Sequence, residues 1–547
     1  MIYLTNKLKI LYRFSLIIII ALTIFTGCKT ELKKPNGSAP VLDKKIFKYN
    51  QASGIYSLDP AFAKDQASIW ATNQLYNGLL QLDDELNVKT CIAKNFEVNE
   101  ESTVYTFYLR NDVYFHDHPQ FTGGKGRKVV AADFVYSFNR LLDPKVASPG
   151  LWIFNGKVNM EEGPFLALDD STFQLVLSKP FRPILSLLTM QYCSVVPKEI
   201  AEHYGKDFRK NPVGTGPFKL KFLKENERMF LEKNKNYWEE GLPKIDQVNV
   251  SFVDNKGSEF LMFEKGEIDF ISGLDATYIN DLLNKDGTLK EERKSQMYLQ
   301  KAPFLNTEYL GILMETGDKN TALANKNVRK AINIGFDRER MMKTLRNSIG
   351  KPATSGFIPY GLPGFRETNK IKYNADEARK LLAEAGFSQS NRPKVTLLTN
   401  TSYKDFGVYI INQLKEIGFE ADMEITPSGV LRERMANGTA NFFRGSWIAD
   451  YPDAENYVTL FYGKNPSPPN YTRFKNAEYD KLYEQCLVTI DDVKLGKLYQ
   501  QMNDILIEEA PVIPLFYDEK TVFVNNRVKG MSNNAMNLLV LKNVELN

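Results

Sequence analysis

Residues 394–426 read KVTLLTNTSYKDFGVYIINQLKEIGFEADMEIT. The β-branched and apolar run Lys394–Thr399 predicts a strand. Phe406–Ile417 places apolar residues at helical spacing and predicts a helix. Glu420–Thr426 returns to alternation and predicts a second strand. A strand, a crossover helix and a strand favour parallel pairing, so this stretch predicts a parallel or mixed sheet with covering helices, an α/β fold.

Working outward, the neighbouring segments carry the same mixed pattern. Asn374–Gly386 (NADEARKLLAEAG) is a capped helix, with Asn374 at its start, Asp376 and Glu377 in its first turn and Gly386 past its end. Leu495–Glu509 predicts a long helix stopped by Pro511, and Val512–Tyr517 (VIPLFY) an apolar strand. Towards the N-terminus, strands are expected over Val104–Arg110, Thr172–Leu177 and Glu308–Met314. Phe218–Leu223 and Arg228–Glu232 are expected to pair around Glu225-Asn226. Ala131–Leu142 aligns Phe134, Phe138, Leu141 and Leu142 on one helical face. Turn-rich stretches at Asn211–Pro217 (NPVGTGP), Lys301–Asn306 and Ala510–Pro514 are the expected lobe boundaries.

The chain has 547 residues, which favours several lobes over one compact unit. With 43% apolar and 25% charged residues, it has a globular composition, not a disordered or fibrous one. The net charge is +4, and Lys7, Lys9 and Arg13 supply three of those positive charges. What remains gives no electrostatic basis for binding nucleic acid. Three His make a His-rich metal site hard to assemble. Cys91, Cys193 and Cys486 are far apart and read as small core residues, not as a disulfide framework or a zinc site.

The N-terminus reads as an address. Basic Lys7, Lys9 and Arg13 precede the apolar run Phe14–Phe25, which is too short for the ~20 residues of a membrane span but suits a signal peptide. It stops at Thr26-Gly27-Cys28, which resembles the lipobox of bacterial lipoproteins, although Phe25 stands where an aliphatic residue is usual. The resemblance implies a signal peptide over 1–27, lipidation at Cys28, and a polar tether over 28–45.

Nine motifs then occur in order. SLDP (57–60) is followed by ATNQLYNGLLQLD (71–83), YTFYLRNDVYF (105–115) and VVAADFVYSFNRLLDP (129–144). PVGTGPFKL (212–220), NVRKAINIGFDRERM (327–341), YNADEARKLLAEAGF (373–387), SWIADYPDAENY (446–457) and EEAPVIPLFY (508–517) follow. Together they resemble the oligopeptide- and dipeptide-binding family, the extracytoplasmic solute-binding proteins of ABC importers. The resemblance implies a two-lobe, type II (venus-flytrap) periplasmic-binding-protein architecture with an insert domain. Its first lobe would take residues 46–85, 200–300 and 510–547, the insert 86–199 and the second lobe 301–509. It implies a monomer on the periplasmic face of the cell envelope, lipid-anchored to a bilayer, handing short peptides to an ABC permease in the inner membrane, with no cofactor, metal or nucleic acid.

The sharpest site hypothesis is RGSWIADYPD (444–453), where the strand Phe442-Phe443 runs into a chain break at Tyr451-Pro452. This order predicts that Trp447 and Asp450 stand on a loop at a strand end. A carboxylate is the natural partner of a free α-ammonium. By resemblance, Asp450 would hold a peptide N-terminus, Ser446 and Trp447 would supply main-chain and wall contacts, and Arg444 would meet a peptide carboxylate. The competing readings are a loop cap for Asp450, a core aromatic for Trp447 and a structural ion pair for Arg444. Within binding proteins, a non-peptide solute such as a metal chelate or oligosaccharide is the alternative. An envelope hydrolase is a remoter one, since neither a GxSxG elbow nor a marked carboxylate pair is present. His116-Asp117-His118 reads as part of a surface loop, and GGKGRK (123–128) lacks the phosphate-loop pattern.

Overall fold

The β-α-β stretch forms as predicted: Lys394–Thr399 and Glu420–Ile425 pair in parallel, joined by the helix Lys404–Glu416. The computed structural model describes residues 44–547 except 53, 162, 274–275, 316–321, 363–364 and 490. The expected signal peptide, Cys28 and nearly all of the tether lie outside the described residues.

These two strands belong to a seven-stranded mixed sheet built from β1 (Phe270–Ser272), β2 (Met297–Ile312), β3 (Lys351–Pro352), β4 (Lys394–Thr399), β5 (Glu420–Ile425), β6 (Phe442–Ile448) and β7 (Val512–Asn525). The order is β1-β7-β2-β6-β4-β5, with β3 also on β7. Apolar cores lie on both faces of its β4–β6 half. One gathers Tyr309, Phe443, Tyr457, Tyr479 and Met502, and the other Ile312, Ile332, Leu397, Leu414 and Phe442. The capped helix Ala375–Glu384 forms where expected, with the Asn374 side chain accepting from the Glu377 N–H.

Two smaller four-stranded sheets lie elsewhere. In one, Ile46–Asn50 pairs in parallel with Gln247–Ser251, and the predicted hairpin Phe218–Lys224/Arg228–Lys233 completes it. The other is antiparallel, in the order Ala93–Val98, Val104–Leu109, Thr172–Val176, Phe165–Asp169. The helix Ala131–Leu142 covers it. Phe134 and Phe138 interlock there with Phe154, Phe165 and Phe173, with most ring centroids 5–6 Å apart, and this aromatic packing adds to their burial. Both smaller sheets, with Val522, Val524 and Leu541 from the C-terminal segment, share one apolar core.

Two expectations change. The strand expected at Glu308–Met314 begins far earlier, at Met297, so Lys301–Asn306 is strand interior and not a turn. Pro303 and Asn306 look like punctuation, but the strand absorbs them as a bulge: Pro303 faces Glu519 and Thr307 faces Tyr517, a register shift between them. His116 is not on a surface loop. It is 4% exposed, its Nε2 lies 3.0 Å from the Gly216 carbonyl, and its Nδ1 accepts from the Gly214 N–H. Burial pushes its pKa down to about 4. It thereby ties its loop to the NPVGTGP stretch, where a Cβ on Gly214 would meet the Leu75 carbonyl at 2.2 Å. Cys91, Cys193 and Cys486 are free and buried.

Candidate functional site

Strand alternation decides where the candidate residues go. β6 carries Arg444, Ser446 and Trp447 within the strand, so Trp447 is not on the loop expected for it; only Asp450 lies beyond the strand end. Successive side chains on a strand point to opposite faces. Arg444 and Ser446 therefore share one face with Glu308, which sits opposite Ser446 on β2. Trp447 takes the other face, packing on the core around Tyr457. Gly445 lies between, and it must be small, because a Cβ there would meet the Tyr309 ring at 2.5 Å.

Asp450 and Trp447 are joined through a residue the sequence had not singled out. Asn456 is buried; its Oδ1 accepts the Trp447 indole N–H at 2.9 Å and the Asp450 backbone N–H at 3.2 Å. Its side chain also opposes the rise in the Asp450 carboxyl pKa. One buried amide thus fixes both the aromatic wall and the acid. The only local hint in sequence was an Asn following a turn.

The segment behind Asp450 is held by its other acids. Glu455 is buried and accepts from the Tyr451 and Tyr483 hydroxyls, the latter at 2.5 Å. Asp453 accepts from the Tyr499 hydroxyl at 2.7 Å and from Arg182 at 3.2 Å. Trp152 stacks on Tyr451 with centroids 6.2 Å apart. By contrast, Asp450 makes no ion pair among the described residues, and the residue is exposed. The protein still crowds it enough that desolvation raises its pKa, opposed by the nearby Asn456 side chain. Across from it stands Tyr192, whose phenol burial pushes up to about 12, with the charges of Asp450 and Asp65 acting in the same direction. The result is an accessible carboxylate, partly stripped of water and lacking a cation.

Arg444 is in the opposite situation. Its Nε donates to Glu308 Oε2 at 3.0 Å, and Nη2 donates to the same oxygen. Its guanidinium lies over the Tyr403 ring, 3.3 Å from the centroid. Glu308 Oε1 accepts from the Tyr403 hydroxyl at 2.9 Å and from Asn306 Nδ2 at 3.0 Å. Of the readings open for Arg444, the geometry displays the ion pair, with the Glu308 side chain 1% exposed. Glu308 itself had no signal in sequence, since its partner lies 136 residues away. Among the described residues, no group of three His, Cys, Asp or Glu side chains is placed to hold a metal ion.

Comparison with known proteins places this arrangement in a family. The periplasmic oligopeptide-binding protein of Salmonella typhimurium is 28% identical over 533 residues, covering 93% of this chain and 93% of that protein. The unliganded open form of the periplasmic murein tripeptide binding protein superposes with a TM-score of 0.82 at 23% identity, over 92% of this chain and 98% of that one. The periplasmic binding protein DppA of Helicobacter pylori, solved with the peptide STSA, superposes with a TM-score of 0.71 at 24% identity, over 92% of this chain and 98% of that one. These neighbours fix the fold as the two-lobe, type II architecture of periplasmic binding proteins. The family pattern described as "Bacterial extracellular solute-binding proteins, family 5 Middle" matches residues 87–469, and the chain belongs to the bacterial extracellular solute-binding proteins, family 5.

Proposed function

We propose that this protein is the lipid-anchored binding component of an ABC importer, that it captures short peptides between its lobes, and that it delivers them to a permease without chemical change. The observation that carries this reading is Asp450: desolvated, accessible, held by Asn456, and with no cation of its own among the described residues. An α-ammonium supplies the missing charge and gains a charge-assisted hydrogen bond, worth about 1.5–3 kcal/mol. Trp447, fixed by the same amide, walls the adjoining space, and Ser446 with the exposed end of β6 presents main-chain groups to an extended ligand. The names of the relatives point to the same class of ligand. The lobes follow the division 46–85, 200–300 and 510–547 against 301–509, with 86–199 as the insert. Cys28 is the lipid attachment point at the extracytoplasmic face, supported by the basic, apolar and Thr-Gly-Cys order before it.

Calorimetry with tri- and tetrapeptides tests the ligand. Asp450→Ala should weaken binding by about 2–4 kcal/mol, and N-acetylation of the peptide should do the same to the wild-type protein. Unchanged affinity in both arms removes Asp450 from this role. Incorporation of labelled palmitate, lost in Cys28→Ser, tests the anchor.

A further inference from the structure

Glu308 is placed where a guest carboxylate would otherwise go. The Nε/Nη2 edge of Arg444 is one a carboxylate can grip, and Glu308 Oε2 already holds it. The acid has no vacant oxygen to spare, since Oε1 holds the Tyr403 hydroxyl and Asn306 Nδ2. A ligand carboxylate that displaced Glu308 would strand a buried anion and release three donors together. That exchange is unfavourable because an uncompensated buried charge costs far more than an exposed one.

The neighbouring guanidinium is matched as well. Arg346, the next guanidinium along the bulge, donates to Asp518 at 2.6 Å. Asn306 Nδ2 also approaches Asp518, at 3.4 Å. Both guanidiniums thus bring their own carboxylates. What remains unmet there is acceptor capacity. Asn306 Oδ1 is buried with no partner, and Nδ2 bonding to Glu308 fixes which way that amide points. At the adjoining end of β4, Asn400 Oδ1 and Thr399 Oγ1 are also buried without partners. Such oxygens suit N–H donors of a ligand and oppose a carboxylate.

We propose that Glu308 is a built-in counter-carboxylate that occupies Arg444, so that this groove accepts peptides without reading a free C-terminal carboxylate at that position. C-terminally amidated or longer peptides then bind as well as the free acid. This rests on the peptide reading above and specifies its selectivity: the N-terminal charge is read at Asp450 and the C-terminal charge is ignored at Arg444.

The test is calorimetry with tetraalanine, tetraalanine amide and N-acetyl-tetraalanine on the wild-type protein and on Glu308→Gln. In the wild type, the amide should bind within about threefold of the free acid, while the N-acetyl peptide loses roughly thirtyfold or more. In Glu308→Gln, a neutral side chain of the same shape leaves Arg444 unneutralised, so the free acid should gain about tenfold over the amide. If amidation costs the wild type tenfold or more while the free acid binds, this inference falls and the peptide reading stands. If none of the three peptides binds, the peptide reading falls and takes this inference with it. The wild-type comparison alone decides the matter should Glu308→Gln fail to fold.

Discussion

Two carboxylates, Glu308 and Asp450, stand near the same end of the large sheet and have been treated in opposite ways by the fold. Glu308 is enclosed, with four hydrogen bonds from three side chains, one of them a guanidinium. Asp450 is reached by solvent, raised in pKa by desolvation, and has one amide for support. A buried charge that is fully matched is structural, because everything it could bind is already present. A crowded charge left unmatched costs the empty protein stability and offers binding energy to whatever supplies the opposite sign. On the proposed reading, the poorly served acid holds the ligand and the well-served ion pair holds the fold.

The sharpest way to break that contrast is Arg444→Met. If the pair is structural, removing the cation strands Glu308, and denaturant unfolding should show a loss of about 3–5 kcal/mol. A loss under about 1 kcal/mol would mean that Glu308 is not held as a buried ion. The second effect is on affinity. Asp450 must be ionised to hold an ammonium, and its pKa is raised, so peptide affinity should fall on acidification before the ordinary carboxylate range is reached. The fall should reach about 1.5–3 kcal/mol once the acid is protonated, measured by calorimetry across an acid series. Affinity that is flat into the ordinary carboxylate range, near pH ~4, would remove the charge from the account. Next, Asn456→Ala deletes the acceptor shared by Trp447 and the Asp450 backbone. It should cost about 1–2 kcal/mol of stability and a similar loss in peptide binding.

The smallest effect has the opposite sign. A raised folded pKa means that the native state holds this proton more tightly than the unfolded chain does. The native state therefore gains stability as pH falls from above the raised value towards the unfolded one, and at neutral pH the ionised acid is a burden. Asp450→Asn should stabilise the ligand-free protein by no more than about 1 kcal/mol, since solvent reaches the group and screens it. A melting temperature that drops would show that the acid supports its own loop.

Much of the frame was legible from local pattern. The unit at 394–426, the Phe134/Phe138 helix, the hairpin around Asn226 and the Asn374 cap are all set by residues within a turn or a strand of one another. What could not be read depended on distant partners. His116 looks like a loop residue until the Gly214 and Gly216 backbone, about a hundred positions on, is packed against it. Glu308 is one acid in a strand until Arg444 and Tyr403 arrive. Tyr451-Pro452 reads locally as an early end to the strand, which puts Trp447 on a loop; cross-strand pairing with Thr307 keeps it in register. Lys301–Asn306 failed for a related reason: a proline and an asparagine are turn signals locally, but a long strand paired on both sides can host them in a bulge.

That bulge has a mechanical meaning. β2 and β7 run side by side without a break in the chain, yet residues 304–306 have no ladder partners on β7. A ribbon bends most easily where its rungs are missing, so flexing between the two ends concentrates at this crease. Leu305, inside the crease, offers its carbonyl to the Ala449 N–H at 2.9 Å and to the Tyr457 hydroxyl at 2.7 Å. The fold line is thus stitched directly to the residue preceding Asp450. On the proposed reading, a swing of one half on the other would re-aim that acid and couple grip to closure with no relay in between.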